Sequence, residues 1–331
     1  MIYSGPVLLL AGPGTGKAHS LALRVKRLVE EQSIDSKHAE VRRVRERYFL
    51  AWTPATKAKY REQDALSYGL AISSDEKLHK GEFVTDDVTQ NIKDKAHPEP
   101  WVEDKLLDKW LPFGNRWLEW GTARAPSHFR RVTFEELCEV PVKILILRVA
   151  GNDLRSSYDD KQLYTNHTSI IAVPWNLLAG VRNNSLKKVA RYRGEKPPRP
   201  DLPKREDLEE TSRCFAVKYL HGVMNSAAAS DFLRANRRSN TDLYPDDWKK
   251  LPIPDVDTAS QAPIVTLVAK ILAVKCADPN ADVSSLEAEI DKLVYALYGL
   301  THQEIAIIEE SLQGKRVNRE VADAAAVEEK Q

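Results

Sequence analysis

VKILILRV at residues 142–149 and TSIIAVPW at 168–175 are the stretches whose reading decides the fold class. Both are short, apolar and rich in β-branched residues, which is the composition of strands buried in a sheet. A strand buried on both faces needs neighbours to pair with and further layers to cover it. The polar segment between them, GNDLRSSYDDKQLYTN (151–166), reads as a connection or hairpin. Upstream, residues 48–135 hold Trp52, Trp101, Trp110, Trp117 and Trp120 in short apolar stretches broken by Gly, Asp and Lys. These read as mixed short strands and helices. Trp117 and Trp120 share a face if their stretch is helical, and core packing is the simpler use of that face than a stacking platform.

Downstream, RNNSLKKVARYRGEKPPR (182–199) carries seven Lys/Arg against one Glu, and the four prolines of 196–204 read as an extended loop. Residues 213–238 read as helical, with Phe215, Val217, Tyr219, Leu220, Val223, Phe232 and Leu233 apolar. LPIPD (251–255) breaks the chain. Three helices are expected after it. Ser260 is the expected cap of the first, with Ile264, Val265, Leu267, Val268, Ile271 and Leu272 on one stripe. Ser284 with Glu287, and Thr301 with Glu304, match capping boxes for the second and third. REVADAAAVEEKQ, which follows, reads as a frayed helix or tail.

The chain has 331 residues, 42% hydrophobic and 29% charged, an ordinary composition that buries a core and fits two domains, or one plus a fragment. Lys and Arg total 49 against 48 Asp and Glu, so global charge selects no partner and only local patches do. Cys138, Cys214 and Cys276 are scattered and odd in number, which argues against a disulfide framework or a zinc site and fits a reducing cytoplasm. No apolar run approaches the length of a membrane span, and MIYSGPVLLLAGPGTGK lacks the basic region and cleavage site of a signal peptide. A cytoplasmic protein with no membrane partner is expected.

GPVLLLA (5–11) reads as a buried strand ending in a glycine-rich turn, and KAHSLALRVKRLVEE (17–31) as the helix after it. Between them, Gly12, Gly14, Thr15, Gly16 and Lys17 make a phosphate-binding loop: backbone N–H groups and the helix N-terminus face the phosphates, and lysine reaches the terminal ones. ATP is the ligand such a loop would take. Ala18 stands where a Ser or Thr hydroxyl would hold magnesium, and neither an acidic magnesium ligand nor a water-orienting group is identifiable on a later strand. His19 beside the loop reads as incidental. KHAEVRRVRER (37–47) marks a junction, because no second strand–helix unit follows to complete a sheet.

GPVLLLAGPGTGKAHSLALRVKRLVEEQSID resembles the first ATP-binding motif of UvrD-like helicases, over residues 5–38. The remaining helicase motifs do not follow. From residue 64 to 312 a second resemblance takes over. It is carried in order by RWLEWGTARAPSHFRRVTFEEL (116–137), KILILRVAGNDLRSSYDDKQLYTNHTSIIAVPW (143–175), KYLHGVMNSAAASDFLR (218–234), YPDDWKKLPIPD (244–255) and LEAEIDKLVYALYGLTHQEIAIIEE (286–310). Together these resemble the C-terminal target-recognition region of TaqI-like, type IIG adenine-specific DNA methyltransferases. Type I specificity subunits share the order of a variable half, LPIP, then helices. The resemblance implies double-stranded DNA as partner and sequence recognition as activity. It implies a methyltransferase or restriction subunit in trans, since the (N/D)PP(Y/F) motif that holds a flipped adenine is absent. The one PP, in EKPPRP, follows Lys196 and precedes Arg199. S-adenosylmethionine would then be bound only by that partner, and no catalytic residue is assigned to this chain.

The fold expected is therefore α+β. A helicase-like strand–loop–helix fragment spans 1–40, a strand-rich target-recognition domain 41–255, and a helical segment 256–331. DNA affinity begins with phosphate neutralisation. The first candidate patch is Arg182, Lys187, Lys188, Arg191, Arg193, Lys196 and Arg199, with Tyr192 placed to pack on sugar or base. The second is Arg234, Arg237 and Arg238 beside Asn236 and Asn240. Arg155, Asn166, His167, Asn183 and Asn184 lie on loops near the strands, as base readers or as turn residues. Leu286, Ile290, Leu293 and Leu297 read as packing, or as a stripe for a partner's helices. Two other readings stand beside DNA recognition: an ATP-binding helicase-like protein, and a non-functional fusion remnant.

Overall fold

The computed structural model describes residues 41–43, 49–52, 85–114, 116–126, 135–148, 154–166, 168–182, 186–196, 202–237, 239, 242–248, 251–310 and 312. The strands in chain order are β1 Val41–Arg43, β2 Phe49–Trp52, β3 Thr89–Gln90, β4 Glu99–Val102, β5 Arg116–Leu118, β6 Lys143–Leu147, β7 Ser156–Asp159, β8 Tyr164–Thr165, β9 Ser169–Pro174 and β10 Pro252–Pro254. The helices are α1 Thr85–Val88, α2 Arg205–Arg213, α3 Val217–Met224, α4 Ala227–Asn236, α5 Pro245–Trp248, α6 Thr258–Ala277 and α7 Ser284–Leu297, then α8 over 302–310. The architecture is α+β, as composition and pattern indicate.

VKILILRV and TSIIAVPW form β6 and β9 at the centre of an antiparallel sheet ordered β2-β9-β6-β7. Every residue of β6 and β9 is buried. Alternation along these strands divides the interior in two. Ile144 and Ile146, with Ile170 and Ala172, join the core built with α3, α6 and α7. Leu145, Ile171 and Val173 join the core that holds Trp101, Leu118, Tyr164, Trp175, Leu186 and Leu208. A sheet covered on both faces explains why KILIL reads as a continuous apolar run.

The polar connector after β6 turns back as β7, and then leaves the sheet. β8 pairs in parallel with β4, in a second sheet ordered β3-β5-β4-β8. β1 and β10 form a separate antiparallel pair. Helices α6 and α7 are not a separate layer of their own: Ile264, Val268, Ile271, Ile290 and Val294 lie in the same core as Ile144 and Ile146. Leu286, Leu293 and Leu297 pack against that core. By length and composition alone α6 is a helix that could cross a membrane, although Lys270 and Lys275 interrupt its apolar sequence. Its crossing with α3 is close because Gly222 lacks a side chain: a Cβ there would stand 2.6 Å from Ile264 Cγ2.

Several local expectations are corrected. Residues 213–238 are not one helix. The chain breaks at Asn225 and Ser226, and Ser226 Oγ caps α4 by accepting from Ala229 N at 3.2 Å. Asn225 leaves the helix because its carboxamide is used by β7: Oδ1 accepts from Ser156 N and Oγ, and Nδ2 donates to Ser156 O, all at 3.0 Å. Asp257, not Ser260, caps α6, its Oδ1 accepting from Ser260 N at 2.8 Å. Ser284 does not form a box with Glu287; Asp282 Oδ1 accepts from Ser284 N at 2.9 Å, and Glu287 accepts from Trp110 Nε1 at 2.6 Å. The Thr301–Glu304 box does form, with Thr301 N donating to Glu304 Oε2 at 2.7 Å and Glu304 N to Thr301 Oγ1 at 3.4 Å. Trp117 lies on β5 and Trp120 just past it, so they share no helical face.

Candidate nucleic-acid interface

The described parts of the basic segment, 179–182, 186–196 and 202–204, are tied to α2 through a buried arginine. Arg205, the first residue of α2, is 2% exposed. Its Nη2 donates to Leu178 O at 2.8 Å and to Glu209 Oε1 at 3.2 Å. Its guanidinium lies 4.8 Å from the Trp175 ring and 4.9 Å from the Tyr192 ring. A charge this deeply desolvated persists only when paired and stacked. Tyr192 completes the clamp. Its hydroxyl donates to Glu209 Oε1 at 2.7 Å and accepts from Gly180 N at 2.6 Å. Burial, and then the hydrogen bond to Glu209, push that hydroxyl's pKa up. The backbone is pinned on either side: Arg191 N donates to Pro203 O at 3.1 Å and Arg205 N to Arg191 O at 2.8 Å.

The described members of the first candidate patch are divided between two jobs. Arg191 is structural, its Nε donating to Lys187 O at 3.1 Å and its Nη1 to Lys196 O. Arg182 pairs with Glu195 at 3.2 Å and sits over the Tyr192 ring. Lys188, Arg193 and Lys196 are exposed and Lys187 is half-buried. Arg193 N donates to Glu206 Oε1 at 2.9 Å, which holds the Glu206 carboxyl below the usual carboxylate range. Tyr192 is not a surface platform for sugar or base, because two guanidinium groups and Glu209 occupy it.

Two further residues contribute. Lys204 is exposed at the end of the same strip, where the proline-rich run hid it. Arg205 is the anchor, and its sequence signal is Glu209 at i, i+4 on the same helix.

The second patch is less open. Arg234 and Arg237 are half-buried at the end of α4, and burial pulls the Arg237 guanidinium pKa down. Asn236 Nδ2 donates to Phe232 O at 2.8 Å. Arg155 is half-buried, and its Nη1 lies 3.4 Å from Asp108 Oδ1. Asn166 makes a turn, its Oδ1 accepting from Thr168 N at 3.2 Å and from Thr168 Oγ1. Gly12, Gly14, Thr15, Gly16, Lys17, His167, Asn183, Asn184, Arg199, Arg238 and Asn240 lie outside the described residues.

Among the described residues no group of three or more His, Cys, Asp or Glu is placed to hold a metal ion. Cys138 is buried, which pushes its thiol pKa up to about 12; Cys214 and Cys276 are exposed and free. A thiol held so far from ionisation is packing rather than a nucleophile. The chain matches no protein-family model, and comparison with curated proteins gives no significant match.

Proposed function

We propose that this chain binds double-stranded DNA as the recognition part of a restriction–modification system of the type IIG, adenine-specific kind, acting in the cytoplasm. The observation that carries the reading is the strip Arg182, Lys188, Arg193, Lys196 and Lys204, exposed on a segment bolted to α2 by Arg205 and Tyr192. Cations on a fixed frame meet phosphates at fixed positions, which sets the register in which neighbouring side chains meet base edges. The ordered run of motifs from 116 to 310 that resembles a target-recognition region supports the same reading. Methyl transfer then belongs to a catalytic partner, which alone binds S-adenosylmethionine.

Selection from a pool of randomised duplexes at near-physiological salt tests it. Enrichment of one short motif is the expected result. Binding without enrichment leaves only a basic surface and overturns the recognition role. The Gly12–Lys17 loop favours a second reading, ATP binding. If it holds, Lys17→Ala abolishes binding, and Ala18→Thr adds magnesium dependence; unchanged nucleotide affinity in both variants removes it.

A further inference from the structure

We propose that the β3–β4 loop is a wedge for duplex DNA, with Ile92 entering between base pairs and Lys93 and Lys95 meeting the flanking phosphates. The inference rests on the DNA-binding reading above and uses none of the residues that carry it. Ile92 is 76% exposed, a large apolar side chain standing in water at a loop tip. Its neighbours Asn91, Lys93, Asp94 and Lys95 are exposed and polar. A protein-docking face would gather contiguous apolar surface around such a residue. A single apolar tip followed at once by two lysines, the carboxylate between them turned back onto the loop's own backbone, instead suits a stacked duplex, where the tip meets base faces and the lysines meet phosphates.

A wedge must be presented stiffly, and the loop is tied at several points. Asp94 Oδ1 accepts from Ala96 N at 2.9 Å and His97 N at 2.7 Å, and lies 2.9 Å from His97 Nδ1. Gln90 Nε2 donates to Ile92 O at 2.7 Å. Trp120 N donates to Ala96 O at 3.0 Å, joining the loop's base to the chain just past β5. Lys93 Nζ sits 4.6 Å over the half-buried Trp117 ring, which sets its direction. Asn91 also borders an open cleft of about 760 Å³ whose cations are Lys105, Arg116 and Lys161. Glu103 offsets the first two, binding Lys105 at 2.5 Å and Arg116 at 2.9 Å, and Asp86 also holds Arg116. Lys161 is exposed and lines the same cleft as Asn91.

The test compares binding of the full chain to a short labelled duplex and to the same duplex with one central unpaired nucleotide. A step that is already unstacked spares a wedge the cost of opening it. Wild type is expected to bind the bulged duplex about tenfold more tightly than the perfect one. Ile92→Ala is expected to erase that preference while keeping its thermal midpoint. Lys93→Ala with Lys95→Ala should lower the slope of log K against log salt by about 2. Equal wild-type affinity for both duplexes, or an unchanged preference in Ile92→Ala, overturns the wedge and leaves the strip at 182–204 as the DNA contact. Failure of the wild type to bind either duplex removes the DNA-binding reading and the wedge with it.

Discussion

Lys143 and Asp159 face each other across the β6–β7 pair, with Nζ 2.6 Å from Oδ2 and neither side chain exposed. The pair is fully dressed. Lys143 Nζ also donates to Cys138 O at 2.7 Å. Asp159 accepts from Lys161 N at 2.8 Å and Leu163 N at 3.0 Å, which shapes the turn leading into β8. Such a pair contributes little net stability but is costly to break, because the survivor is left charged and buried. Asp159→Ala should therefore lose about 3–5 kcal/mol of unfolding free energy. Lys143→Met with Asp159→Leu should recover most of it. Urea unfolding of the single and double variants checks the contrast, and equal losses in both would mean the turn, not the charge, is what matters.

His221 gives the fold an acid-sensitive point. The ring is fully buried, and among the described residues its Nδ1 has no hydrogen-bond partner. Its Nε2 lies 3.0 Å from Ser156 O and 2.9 Å from Asn225 Nδ2. A neutral ring satisfies this site; a protonated one adds a buried charge near Lys109. Desolvation, against the bond to Ser156 O that raises it and with a smaller push from Lys109, brings its pKa down to about 4. Below about pH 6.5 the unfolded chain gains a proton that the folded chain refuses. The stability contributed by the neutral ring is thus full above pH 6.5 and is lost as pH falls through about 4, by roughly 3 kcal/mol in all. Unfolding midpoints between pH 7 and 4 should fall steeply in wild type and less so in His221→Leu.

Gly222→Ala tests the α3–α6 crossing. In an isolated helix the change would help, by about 1 kcal/mol. Here the new Cβ meets Ile264 Cγ2 at 2.6 Å and Val268 Cγ2 at 3.0 Å, and both side chains are buried. Overpacking of this kind costs about 1–3 kcal/mol. A net loss of stability is expected, and pairing the change with Ile264→Val should restore part of it.

The sequence made legible what depends on composition within a single element. β6 and β9 declare two-sided burial in their own residues. The break at Asn225 does not, because its cause is Ser156 on a strand far back in the chain. The cap of α6 by Asp257 is local, three residues before Ser260 N, but what the first turn then meets is tertiary. Gln261 is buried, with Nε2 donating to Cys214 O at 2.8 Å and Oε1 accepting from Ala216 N at 2.9 Å. In the candidate interface the surplus of cations could be counted, but the division of labour could not. Arg191 and Tyr192 read as DNA contacts until Arg205, Glu209 and Pro203 are placed against them.

That division makes the interface testable without confusing binding with folding. Arg193 and Lys196 are exposed, so Arg193→Ala with Lys196→Ala should leave the thermal midpoint unchanged. Each phosphate contact removed lowers the slope of log K against log salt by about 0.9, so the double variant should lose nearly 2. Arg205→Ala should behave in the opposite way. It leaves the buried Glu209 carboxylate without its cation, with only the Tyr192 hydroxyl on it, and uncovers Trp175 and Tyr192, at a cost of about 3–5 kcal/mol. Its remaining DNA binding, measured below its lowered midpoint, should weaken because the strip loses its frame. A double variant that melts early, or one that keeps the wild-type salt slope, would show that the exposed cations of 182–204 do not serve as phosphate contacts.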